Sequence, residues 1–72
     1  MKKIKKIKIK LNGKIKYTIK DYKLSELLKL NKIPIKKVAI EGNGEIVDKK
    51  KLNRIILKNN DRIEVVHFIG GG

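Results

Sequence analysis

The chain has 72 residues, a length at which about 60% of the unfolded surface can be buried in one small core. It has no Cys, no Trp and one Phe, so disulfides, a thiolate nucleophile and Cys-ligated zinc are excluded and the core must be aliphatic. Its net charge of +13, from 20 Lys and Arg against 7 Asp and Glu, invites a nucleic-acid reading, which the distribution and kind of charge then weaken.

Residues 1–37 hold fourteen Lys against Asp21 and Glu26, whereas residues 38–72 are nearly neutral. Only Arg54 and Arg62 supply the planar guanidinium that nucleic-acid readers use for bidentate contacts, and aromatic stacking groups are scarce. Lys, Ile and Asn make up 37 of the 72 residues, a bias that A/T-rich coding alone would produce. The lysines therefore read as a solvated face, with a basic nucleic-acid-binding module as the rival from another functional class.

The opening "MKKIKKIKIKL" places Lys at every second or third position and lacks the unbroken apolar region and small-residue cleavage site of a secretory signal. No stretch approaches the roughly 20 apolar residues of a membrane helix, so a soluble cytoplasmic protein without membrane contact is the expectation. "IKKIKIKL" (4–11) and "KIKYTIK" (14–20) alternate apolar with polar residues around Asn12-Gly13, the strongest short signal for a hairpin. Ile7, Ile9 and Leu11 share one face of the first strand, and Lys6, Lys8 and Lys10 the other.

"DYKLSELLKLNKI" changes period. Leu24, Leu27 and Leu28, with Ile33 as a further candidate, follow helical spacing; Asp21 is placed to cap the start and Asn31 lies near the end. Pro34 bars continuation. "KVAIEGNGEIV" predicts a second strand pair around Gly42-Asn43-Gly44. A polar connector then carries Leu52, Ile55 and Leu57 inward, Asn59-Asn60-Asp61 turns the chain, and "RIEVVHFI" (62–69) forms the last strand. Hairpin, crossing helix, strand pair and a final strand returning beside the first define an α+β, β-grasp sheet in one domain over 1–69, with 70–72 a flexible tail.

The inventory for catalysis is thin. His67 is the sole His and Ser25 the sole Ser, no spacing suggests a metal site, and Gly42-x-Gly44 is too short for a phosphate loop. No catalytic residue and no metal are expected. The tail is the unusual feature: the last strand runs without a polar spacer into Gly70, Gly71 and Gly72. Glycines fit a channel only as wide as a backbone, and a terminal glycine leaves its carboxylate sterically open. A carboxylate becomes a good electrophile only when its oxygen is turned into a leaving group, as adenylylation by an ATP-using partner would do. If Ile63, Val65, His67 and Ile69 face the core, Val66 and Phe68 face outward as a candidate partner patch; burial on both faces is the alternative.

The length, the Leu24-x-x-Leu27-Leu28 segment, "VAIEGNGEIV" and above all "NNDRIEVVHFIGGG" resemble the sulfur carrier proteins of thiamine biosynthesis (ThiS), members of the ubiquitin-like β-grasp group. Asn60-Asp61 stands where that family commonly has Gly-Asp, a change Asn accommodates at positive φ. The resemblance implies that Gly72 is the reactive C-terminus, adenylylated with ATP by a ubiquitin-activating-like partner and converted to a thiocarboxylate with sulfur from a cysteine desulfurase or other persulfide donor. It implies delivery of that sulfur to thiazole synthase, with Gly70 and Gly71 threading partner active sites and Val66, His67, Phe68 and Ile69 as the docking surface. No cofactor is implied to be bound, and the free carrier is expected to be a monomer acted on by enzymes. Molybdopterin synthase small subunits and tRNA-thiolation or ubiquitin-like modifier carriers share this logic.

Overall fold

A computed structural model describes residues 5–67. The strands are β1 (Lys6–Leu11), β2 (Lys14–Ile19), β3 (Val38–Gly42), β4 (Glu45–Ile46) and β5 (Arg62–His67), and one helix, α1 (Leu24–Leu30), follows β2. They form one mixed sheet in the order β2-β1-β5-β3-β4. β5 runs parallel to β1 and antiparallel to β3, so the last strand separates the two hairpins.

The core forms where the helical and strand periods converge. Leu24, Leu27 and Leu28 lie three and four positions apart on α1 and are buried against Ile9 and Leu11 of β1, Val38 and Ile40 of β3, and Ile63 of β5. Leu52 and Leu57 of the connector complete it, as the sequence pattern predicts, and Ile55 packs against its edge.

Three local expectations are corrected. Asp21 does not cap α1: it sits at φ +66, and Lys23 is the N-cap, its N–H donating to Glu26 Oε1 at 3.2 Å. The cap is unnecessary because the connector supplies acceptors. Leu24 N–H donates to the Ile55 carbonyl at 2.9 Å and Ser25 N–H to that of Leu52 at 3.2 Å. Ile33 is not on the helix. α1 stops at Leu30, Asn31 is its C-cap, and Lys32 at φ +55 turns the chain so that Ile33 N–H donates to the Leu28 carbonyl at 3.0 Å. Ile33 then packs on the core from outside the helix, before Pro34 has any part in ending it.

Gly42 is not a turn residue either. It closes β3, and only Asn43 (φ +51) and Gly44 (φ +87) take the left-handed conformation of the turn. A Cβ at Gly42 would meet Val47 Cγ2 at 3.3 Å, a tight contact that would need a shift of a few tenths of an ångström. Asn60, at φ +73, adopts the positive φ that its place in the Asn-Asn-Asp turn requires.

Candidate functional site at the end of β5

The sequence reading expects the reactive group in the segment that follows β5, so the placement of β5 matters most. The strand is held from both sides by the two Asn-Gly turns. Asn12 (φ +51) extends β1 beyond its last residue: its N–H donates to the Ile63 carbonyl at 2.9 Å, and its Oδ1 accepts from Val65 N–H at 2.7 Å. On the other flank Asn43 N–H donates to the Arg62 carbonyl at 2.7 Å, and its Oδ1 accepts from Arg62 N–H at 2.8 Å. Asn43 Nδ2 also donates to Asp61 Oδ1 at 3.0 Å, and Asp61 Oδ2 accepts from Lys58 N–H at 2.8 Å. Two residues that read only as turn formers therefore also fix the register of the strand leading to the tail. Their conformation was legible from the Asn-Gly signal; their side-chain bonds to a strand over 18 residues away in sequence were not.

Asn12→Gly separates these roles, because glycine keeps the turn while removing the side-chain acceptor. The expected result is a loss of about 1 kcal/mol, the usual net worth of one such bond, seen as a lower denaturation midpoint at unchanged slope.

Val66 and His67 point to opposite faces of β5. Val66 lies on the sheet face away from α1, 51% exposed, and is paired with Ala39. The outward reading of its parity agrees with this placement, and burial of the strand on both faces does not. His67 is exposed as well, but beside Val38 and on the parity of Ile63 and Val65. A single flat patch thus cannot engage both side chains. Phe68, Ile69, Gly70, Gly71 and Gly72 lie outside the described residues.

The outer face adds residues that the sequence reading did not assign to a surface. Ile46 of β4 is well exposed and pairs with Glu41, which itself pairs with Glu64 of β5. The face near the tail-bearing end therefore combines an apolar element, Val66 with Ala39, and a carboxylate pair, with Ile46 at its rim. Their signal in the sequence was strand parity, usable only once the register across β5 and β3 was known.

Ser25 is on α1 with its N–H engaged by the connector, whereas His67 ends β5. Among the described residues no three His, Cys, Asp or Glu side chains gather where they could hold a metal, and no helix is long and apolar enough to cross a membrane. What remains is a compact sheet that presents a strand end. That is the construction of the ubiquitin-like β-grasp proteins, and this fold is one of them.

Comparison with known proteins makes the assignment narrower. The family model described as "ThiS family" matches residues 9–72, and the chain belongs to that family. It is 37% identical over 65 residues to the sulfur carrier protein ThiS of Bacillus subtilis, covering 89% of this chain and 98% of that protein. It is also 39% identical over 66 residues to a thiazole synthase of Magnetococcus marinus, covering 92% of this chain but only 20% of that protein. Among solved structures, the thiamine biosynthesis protein ThiS from Geobacter metallireducens superposes with a TM-score of 0.75 at 28% identity, covering 92% of this chain and all of that one.

Proposed function

We propose that this chain is a sulfur carrier in thiamine biosynthesis and that Gly72 is its reactive group. The observation that carries this reading is the family match, which runs from inside β1 through Gly72 and so includes the glycine tail with the fold. In the proposed cycle a ubiquitin-activating-like partner uses ATP to adenylylate the Gly72 carboxylate. The outer sulfur of a cysteine desulfurase or other persulfide donor attacks the acyl adenylate and displaces AMP, giving an acyl disulfide. A thiol then cleaves its S–S bond, leaving the donor sulfur in a disulfide with that thiol and freeing the Gly72 thiocarboxylate, which gives its sulfur to thiazole synthase. The carrier supplies an addressable carboxylate and binding energy, and the partners supply the catalysis.

The thiazole synthase of Magnetococcus marinus supports that acceptor, because a segment similar to almost all of this chain makes up one fifth of it. A carrier joined to its acceptor in one polypeptide delivers at high effective concentration, and a separate carrier must replace that linkage with a docking surface. Val66, on the outer face beside Ala39, is the described residue best placed for this. The five residues after His67 can extend at most roughly 17 Å, so a partner's reactive centre must lie within that distance of the end of β5.

The test is the intact mass of the chain after incubation with ATP, a ThiS-activating enzyme of proven activity, a persulfide source and a thiol reductant. The expected result is one oxygen-to-sulfur exchange mapped to Gly72. The Val66→Asp variant should fold normally yet need about tenfold more activating enzyme for the same rate. Failure of the wild-type chain to gain sulfur under these conditions would remove the carrier reading.

A further inference from the structure

β2 is an edge of the sheet, and its side chains are distributed in an unusual way. The two-residue Asn12-Gly13 turn pairs Leu11 with Lys14, which sends Lys14, Lys16 and Thr18 to the α1 side and Ile15, Tyr17 and Ile19 to the outer face. The apolar row of β2 is therefore displayed, with Ile15 52%, Tyr17 67% and Ile19 50% exposed. The backbone follows the same alternation. Lys20 N–H donates to the Lys5 carbonyl at 2.9 Å, so the even-numbered residues of β2 bond to β1 and Ile15, Tyr17 and Ile19 direct their N–H and C=O groups to the open edge.

An exposed edge is normally blunted, and lysine is one way of doing so. Lys14, Lys16 and Lys20 fit that role against a second copy, since two β2 strands pairing antiparallel would oppose lysines within a pair of chains carrying +13 each. They do not account for the outer row of Ile, Tyr and Ile. Nucleic acid fits poorly as well, because two of the three exposed groups are aliphatic and offer no ring for base stacking. A strand alternating apolar with acidic residues satisfies every element at once. Its apolar set would cover Ile15, Tyr17 and Ile19, its carboxylates would meet Lys14, Lys16 and Lys20, and its backbone would pair with the open edge.

We propose that β2 is a second docking edge, distinct from the tail-bearing end of β5, that binds an acidic protein segment by adding it to the sheet as a sixth strand. The probe is a blocked peptide alternating valine and glutamate, titrated into the full chain with amide signals followed by NMR. Binding should slow hydrogen exchange of the Ile15, Tyr17 and Ile19 amides at least tenfold, weaken as salt is raised, and be lost when alternate peptide amides are N-methylated or glutamate is replaced by lysine. Ile19→Glu, at a half-exposed position, should weaken it about tenfold with the rest of the spectrum unchanged. Absence of binding, or binding that leaves those three amides unprotected, would overturn the proposal. So would their protection by self-association without peptide, or displacement of the peptide by oligouridylate.

Discussion

A chain lacking Gly72 is expected to melt at the same temperature as the full-length chain and to acquire no sulfur from ATP, activating enzyme and persulfide donor. The first half of this expectation follows from where the fold is held. The core side chains lie between Ile9 and Ile63, and the bonds that seat β5 act on Arg62 and Val65, upstream of the deleted residue. The second half follows from reach and reactivity. Deletion leaves a glycine carboxylate at position 71, chemically the same group but shorter by one residue, or roughly 3.4 Å of extended chain. Reacting atoms that must lie within about 3.5 Å of each other do not tolerate that offset, so the loss should be 10²-fold or more. Electrospray mass and a thermal scan on the same samples test both halves. Sulfur gain at the wild-type rate would show that Gly72 is not the acceptor, and a large drop in melting temperature would show that the tail supports the fold.

Leu28→Ala should have the largest effect on stability, a loss of about 2 to 5 kcal/mol. Leu28 is fully buried on the apolar stripe of α1 and belongs to the core cluster that joins the helix to sheet and connector side chains. Domains typically have only about 0.05–0.15 kcal/mol of stability per residue, or roughly 4 to 11 kcal/mol at this length, so the truncation would remove a large fraction of the total. Leu30, two positions along the same helix, is the internal control: it is 69% exposed, and Leu30→Ala should change stability by less than about 0.5 kcal/mol. Urea denaturation of the two variants beside wild type reads both values. Equal losses would mean that helix propensity, and not burial, governs α1.

Periodicity made the elements legible. Lys-Ile alternation around Asn12-Gly13, the Leu24, Leu27 and Leu28 spacing, and the run from Arg62 to His67 each led to the element that is present. Reading failed where a local signal competed with a distant acceptor. Asp21 looked like a cap, but the carbonyls of Leu52 and Ile55 occupy the helix start. Gly42 looked like part of the turn because it neighbours Asn43-Gly44, whereas it closes β3 and only its two neighbours take positive φ. The outward display of Ile15, Tyr17 and Ile19 was implicit in the length of the first turn, since two residues between paired strands fix which parity shares the face of Ile9. The chemistry of the tail came from its glycines and from family resemblance, and parity alone indicated that Val66 faces outward. Asn, which read as compositional bias and as a turn former, also bonds a neighbouring strand through its side chain at positions 12, 43 and 59, the last accepting from Lys8 N–H at 2.8 Å.

The central place of β5 has a further consequence. With β5 withdrawn, β1–β2 and β3–β4 are two hairpins that share no edge, so freeing this strand cannot be a local opening. The amides of Ile63 and Val65 should therefore exchange with solvent only through global unfolding, and the strand and the sheet should come apart as one cooperative unit. An enzyme that pulls on the tail meets a mechanical stop at the end of β5: it can draw out the residues beyond the strand, and any further extension would have to unfold the whole domain.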